Sequence, residues 1–190
     1  SDLVETGSLQ FPITPFVRVP KSGREDSHFL IKQVLDSGVC GIVFPYSESA
    51  QQARKVISSM RYPRENTTVE ESSQNWRGFG AKFASWHWGL SWQEYYKLAD
   101  LWPLNLNGEL LAICQIESVA AYENLDEILD VPGLGGIFIG PGDFSVSMGL
   151  GVNPQHPKCE AIFQDILKRT HKKNIKAMVL VNPENYQKYK

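Results

Sequence analysis

The chain has 190 residues, of which 42% are hydrophobic, 21% charged and 11% aromatic, and its formal net charge is −2. On a prior of about 150 residues per domain this is one domain that can fill a packed core, and the composition argues against intrinsic disorder. With 19 Lys+Arg against 21 Asp+Glu and no basic run, it also argues against nucleic-acid binding through bulk electrostatics. The apolar runs are strand-length, short of the ~20 residues that span a bilayer, so no membrane partner is expected. Asp2 and Glu5 stand where a secretion signal would carry basic residues, and Cys40, Cys114 and Cys159 are widely spaced and odd in number. The expected location is therefore cytoplasmic and reducing, and the sequon Asn66-Thr67-Thr68 is read as chance.

In chain order, β-branched apolar runs bounded by Gly or Pro alternate with amphipathic patterns. A strand is predicted at 15–19 (PFVRV), then a helix at 27–37 with Phe29, Leu30, Ile31, Val34 and Leu35 at helical spacing. A strand at 41–46 (GIVFPY) and a helix at 49–60 follow. Residues 61–103 make an unusually long connection with a polar stretch at 66–74 and a cluster of aromatics that includes Trp76, Phe79, Phe83, Trp86, Trp88 and Trp92. Within it, Ser91 and Glu94 form a capping-box pattern that starts a helix running to about Ala99. The connection reads equally as a binding loop or lid and as a subunit contact. Beyond it come a strand at 110–117 (LLAICQIE), a helix at 119–129, a strand at 136–140 (GIFIG), a helix at 159–172 and a strand at 175–181 (IKAMVLV). Strand–helix–strand repetition of this kind implies parallel βαβ units and an α/β fold.

Chemistry concentrates where two strands end. Alternation puts Gln115 and Glu117 on one face, and a carboxylate closing an apolar strand is costly to bury without a partner. The next strand closes Gly140-Pro141-Gly142-Asp143, where the glycines admit close backbone approach and Asp143 is a second carboxylate. C-terminal strand ends are where α/β folds bind ligands. Glu117 and Asp143 together suit a hard divalent cation that completes its shell with water and substrate oxygens. Two structural readings stand beside this. Asp143 could cap the following helix, and Glu117 could pair with a nearby Arg or Lys.

Residues 15–181 resemble the HpcH/HpaI aldolase family, metal-dependent pyruvate aldolases of the phosphoenolpyruvate/pyruvate TIM-barrel superfamily. The match is carried by PFVRV at 15–19, the stretch 38–63 ending Arg61-Tyr62-Pro63, and above all 115–149, with Q-I-E, E-N-L-D-E-I and F-I-G-P-G-D-F-S-V-S-M-G. Gly142, where many members carry Ala, is also similar to the relative macrophomate synthase. The resemblance implies a (β/α)8 barrel and a class II aldolase or lyase. Such an enzyme cleaves a 4-hydroxy-2-oxo acid to pyruvate and an aldehyde through a metal-bound enolate, and works as a homo-oligomer. It implies Glu117 and Asp143 as ligands of Mg²⁺ or Mn²⁺ (or Co²⁺ or Zn²⁺), Gln115 beside the bound pyruvate, and the Gly142-Asp143 backbone receiving its carboxylate. Arg77, in Trp76-Arg77-Gly78, matches the family arginine that contacts the keto or enolate oxygen, although the polar stretch 66–74 separates it from Arg61-Tyr62-Pro63.

The family's catalytic base is a histidine in an Asp-Gly-Glu-His-like motif on an earlier strand, and His28, His87, His156 and His171 all lack that context. His87, in the aromatic cluster, is the only outside candidate. The five predicted strands match the family's third to seventh, so the chain reads as a single, incomplete barrel domain over 1–190 with an aromatic-rich insertion at 64–103. A fragment of a longer protein is the favoured account, ahead of strand swapping or a truncated relative. Oxaloacetate decarboxylation at the same site, which needs no base for an aldol hydroxyl, is the alternative reaction. Another is non-catalytic binding of metal and 2-oxo acid.

Overall fold

The computed structural model of the protein describes residues 14–20, 28–181, 183 and 186–189. Asp2, Glu5 and the predicted helix start at 27 lie outside the described residues. The elements run β1 (Phe16–Arg18), α1 (His28–Asp36), β2 (Gly41–Phe44), α2 (Ala50–Met60), α3 (Val69–Ser73), α4 (Lys82–His87), α5 (Trp92–Leu98) and β3 (Leu101–Trp102). They continue with β4 (Leu110–Ile116), α6 (Val119–Glu123), α7 (Leu125–Leu129), β5 (Leu134–Ile139), α8 (Pro141–Ser147), α9 (Pro157–Lys172) and β6 (Lys176–Val179). All five predicted strands are present. They pair in parallel in the order β1-β2-β4-β5-β6, and the short β3 pairs with the first residues of β4.

Side-chain alternation along β4 divides the sheet. Leu110, Ala112, Cys114 and Ile116 join the main apolar core with Ile31 and Leu35 of α1, Val56 and Met60 of α2, and Phe163 and Ile166 of α9. Ile113 and Gln115 alternate with that set, and Val43 of β2 is Ile113's neighbour in register. The helices therefore cover one face, and the other carries Gln115 toward the C-terminal strand ends. The outer strands are exposed by contrast, with Phe16 at 45% and Met178 at 41%. Among the described residues, β1 and β6 each pair on one side only. All three cysteines are free, and burial pushes the Cys114 thiol up to about 11. Among the described residues no helix is long and apolar enough to cross a membrane.

Two departures from expectation have local causes. The helix predicted at 119–129 is broken at Asn124, whose Nδ2 donates to the Glu48 carbonyl at 2.8 Å and ties the β4–α6 region to the β2–α2 turn. The connection after α2 is folded into α3, α4, α5 and β3. The predicted capping box is present, with Ser91 Oγ accepting from the Glu94 N–H at 3.3 Å and Glu94 Oε2 accepting from the Ser91 N–H at 2.8 Å. A second box, Thr68 with Glu71, starts α3. Tyr95 of α5 is fully buried, and Trp88 Nε1 donates to the Gly38 carbonyl at 2.7 Å, which fastens this segment to the α1–β2 turn.

Asp100 holds the end of the segment to the end of α2. Arg61 Nε reaches its carboxylate at 2.7 Å, Arg64 Nη2 at 3.2 Å and the Leu101 N–H at 2.9 Å. Burial works to raise the Asp100 carboxyl, but the Arg61 hydrogen bond and the charges of Arg64 and Arg61 outweigh it and hold the group below the usual range. Removing one partner of a buried pair costs about 3–5 kcal/mol. Asp100→Asn is therefore expected to destabilise by that order in urea unfolding at neutral pH. Because the folded carboxyl titrates low, the difference from wild type should be full above about pH 3.9 and vanish as pH falls further.

Candidate active site

Three strand ends build the site. β4 ends at Ile116 and delivers Gln115 and Glu117, β5 ends at Ile139 and runs through Gly140 into α8 with Asp143 in its first turn, and β2 is followed by Pro45 and Tyr46. With Arg18 at the end of β1, they surround a cavity of about 200 Å³ lined by Arg18, Pro45, Tyr46, Gln115, Glu117 and Asp143. Gln115, Glu117 and Asp143 are thus brought together as their positions at strand ends imply. Glu117 is 2% exposed, and its Oε1 accepts from the Tyr46 backbone N–H at 2.9 Å. Asp143 is exposed, and its Oδ1 accepts from the Tyr46 hydroxyl at 3.0 Å. Burial, then Asp143, Glu117 and Glu48, push the Tyr46 phenol up, so the phenol stays a donor in a negatively charged pocket.

The glycine-rich motif has a mechanical explanation. A Cβ on Gly140 would lie 2.5 Å from Glu117 Oε2 and 2.9 Å from Gln115 Nε2, so only glycine lets β5 come this close to both side chains. At Gly142 a Cβ would meet nothing within 4 Å, leaving room for alanine. Pro141 opens α8, Ser145 Oγ donates to the Gly142 carbonyl at 2.8 Å, and Ser147 Oγ accepts from the Val119 N–H at 2.9 Å. Gly149 ends the turn with φ +74°. The Pro, both Ser and the last Gly therefore hold the segment that presents Asp143.

Arg77 is not brought to this cavity. Its guanidinium is buried, with Nη2 2.9 Å from both Asp36 Oδ1 and the Tyr95 hydroxyl and its plane 4.2 Å over the Tyr62 ring. It lines a separate cavity with Tyr62, Phe79, Trp92 and Tyr96, and no residue of 64–103 lines the cavity at Glu117. The guanidinium at the strand ends is that of Arg18, which is exposed and donates weakly to the Val19 carbonyl at 3.4 Å. Its sequence signal was a lone charge near the end of an apolar strand, the same signal that marked Glu117. Tyr46 was also missed. A turn residue has no periodicity to betray it, and tyrosine seldom takes its φ of +50°.

None of the four histidines lines the cavity. His28 packs on Trp76, His87 on Phe83 and Trp86, His156 caps α9, and His171 is exposed in the last turn of α9. Among the described residues no group of three or more His, Cys, Asp or Glu side chains is arranged to hold a metal ion. The pair Glu117 and Asp143 still fits a hard cation, since Mg²⁺ commonly takes one or two protein carboxylates. Gln115 Oε1, at the same cavity, is buried and accepts no hydrogen bond from the described residues.

A family profile for HpcH/HpaI aldolase/citrate lyase matches residues 6–189. The chain is 38% identical over 146 residues to the 2-keto-3-deoxy-L-rhamnonate aldolase of Escherichia coli K12. That alignment covers 76% of this chain and 48% of the relative, so the chain spans about half the length of the curated relatives it matches. Among solved structures, an HpcH/HpaI aldolase/citrate lyase family protein from Burkholderia cenocepacia J2315 superposes with a TM-score of 0.75 at 24% identity, covering 94% of this chain and 63% of that one. Macrophomate synthase superposes with a TM-score of 0.61 at 26% identity, covering 85% and 51%. The parallel sheet and its helices are accordingly a portion of a TIM barrel. With the profile extending over nearly every residue, the chain belongs to the HpcH/HpaI aldolase/citrate lyase family.

Proposed function

We propose that the protein is a metal-dependent carbon–carbon lyase that cleaves a 4-hydroxy-2-oxo acid to pyruvate and an aldehyde. The observation that carries this is the convergence of Arg18, Gln115, Glu117 and Asp143 on one small cavity at the C-terminal strand ends. The aldolase named among the relatives supports the bond type. Glu117 and Asp143 would hold Mg²⁺ or Mn²⁺, and Co²⁺ or Zn²⁺ suit the same oxygens less well. When bound, the ion supplies Lewis-acid stabilisation of charge developing on the 2-oxo acid's oxygens.

The chain's own groups do the rest. The Arg18 guanidinium, permanently charged and planar, would donate to the 2-oxo oxygen of the bound acid and favour negative charge there. Gln115 orients the pyruvate portion through its side-chain amide, and the Gly142-Asp143 backbone, in the first turn of α8, receives the carboxylate. The cavity of about 200 Å³ suits a small 2-oxo acid. Oxaloacetate decarboxylation at the same site is a second reading: among the described residues no histidine lines the cavity, and that reaction requires no base at an aldol hydroxyl. Exposed Phe79 (70%), Phe83 (56%) and Trp86 (63%) support assembly as a homo-oligomer.

With Mg²⁺ or Mn²⁺ present, pyruvate release is expected from a hydroxy-oxo acid, from oxaloacetate, or from both. Comparing the two substrates separates the readings. Release should disappear in Glu117→Ala and Asp143→Ala, and equal release without metal would contradict the mechanism. Arg18→Ala should lower kcat by about 10²–10³-fold with its melting temperature kept. Arg77→Ala, by contrast, should destabilise by about 3–5 kcal/mol in urea unfolding. Finally, Mn²⁺ with oxalate, an enolate mimic, should raise the melting temperature of wild type and Gly142→Ala. Gly140→Ala should lose that increment and fall by about 1–3 kcal/mol in stability through overpacking against Glu117.

A further inference from the structure

We propose that Tyr46 is the positioning residue of the metal-binding pair, holding Glu117 through its backbone and Asp143 through its side chain. The inference rests on the reading of those carboxylates as cation ligands and concerns what sets their geometry. Tyr46 follows β2 and is one of three described non-glycine residues with positive φ, at +50°. For a bulky side chain that conformation costs of order 1 kcal/mol or more and persists only where neighbouring structure enforces it. Here the turn is fixed on both sides of the strained residue. The Ser47 N–H donates to the Gln115 carbonyl at 3.2 Å, and Ser47 Oγ donates to the Phe44 carbonyl at 3.0 Å.

The strained backbone aims two donors from one residue at carboxylates from two other strand ends. Its N–H lies 2.9 Å from Glu117 Oε1 and its hydroxyl 3.0 Å from Asp143 Oδ1. Like charges drawn to one cavity repel, and donors between them offset that repulsion before any cation arrives. Each carboxylate has about four lone-pair directions, so both can ligate an ion while still accepting from Tyr46. The two bonds differ in kind. Glu117 is buried and held by main chain, which no substitution at position 46 other than proline removes. Asp143 is exposed, on the first turn of a short helix, and among the described residues its side chain accepts from the Tyr46 phenol. Of the two carboxylates, the side chain of Tyr46 therefore governs Asp143.

The test is Mn²⁺ binding, followed by the electron paramagnetic resonance of the free ion, in wild type, Tyr46→Phe and Tyr46→Asn. Phenylalanine removes only the hydroxyl. Asparagine tolerates the left-handed backbone while losing the reach to Asp143. Both variants should bind Mn²⁺ about 10–100-fold more weakly, as loss of an outer partner of a metal ligand does. Their metal-free melting temperatures should stay within about 2 °C of wild type. Affinity within about twofold of wild type in Tyr46→Phe would overturn the positioning role alone. A metal-free melting temperature that falls together with affinity in both variants would mark a merely structural role and overturn it as well. No Mn²⁺ binding by wild type would instead overturn the metal reading beneath it.

Discussion

A carboxylate that is 2% exposed at the end of an apolar strand has to be met by donors or by a cation, and Glu117 sets that requirement for the whole upper rim of the sheet. The β2 turn supplies one donor through Tyr46. The β5 end approaches so closely that position 140 has no room for a Cβ beside Glu117. Directly after Gly140, α8 begins at Pro141, and its first turn carries Asp143 to the same cavity. Ser118, next in sequence, caps α6 and donates to Glu48 Oε1 at 2.7 Å, which binds the β4 and β2 turns together. A single buried charge thus dictates a glycine, a strained tyrosine and the point where a helix begins.

The molecule keeps its structural ions apart from those it exposes to a ligand. Asp100 with Arg61 and Arg64, and Arg77 with Asp36, are ion pairs that tie helices α1, α2 and α5 to their surroundings, with Arg77 Nε and Nη1 buried and without a partner among the described residues. Arg77 adds the faces of Tyr62 and Tyr95 to its neighbours. Arg18 is placed oppositely: among the described residues its side chain is exposed and makes one weak main-chain bond at the cavity rim. The same residue type is tied into ion pairs in one place and exposed at a cavity rim in the other, and the surroundings decide which.

Strands and long helices were legible in the sequence because burial imposes periodicity: GIVF, LLAICQI and the α2 and α9 patterns appear within a few residues of expectation. Glu117 and Asp143 stood out as charges interrupting apolar strand ends. Arg18 carried the same mark, whereas the resemblance pointed to the Arg-Gly at 77–78. Nothing in one-dimensional spacing shows that Arg77 lies beneath Tyr62 rather than above the strands. Tyr46 was invisible because its contribution comes from a backbone angle, and the break at Asn124 because it depends on a carbonyl 76 residues away. Long-range hydrogen bonds leave no local signature.

The most direct measurement is anomalous diffraction from crystals of the protein grown with Mn²⁺ and oxalate. The account predicts one strong manganese peak between the carboxylates of Glu117 and Asp143, at roughly 2.0–2.2 Å from an oxygen of each, with oxalate completing the shell beside Arg18 and Gln115. A manganese peak elsewhere, or none at the strand ends, would contradict it.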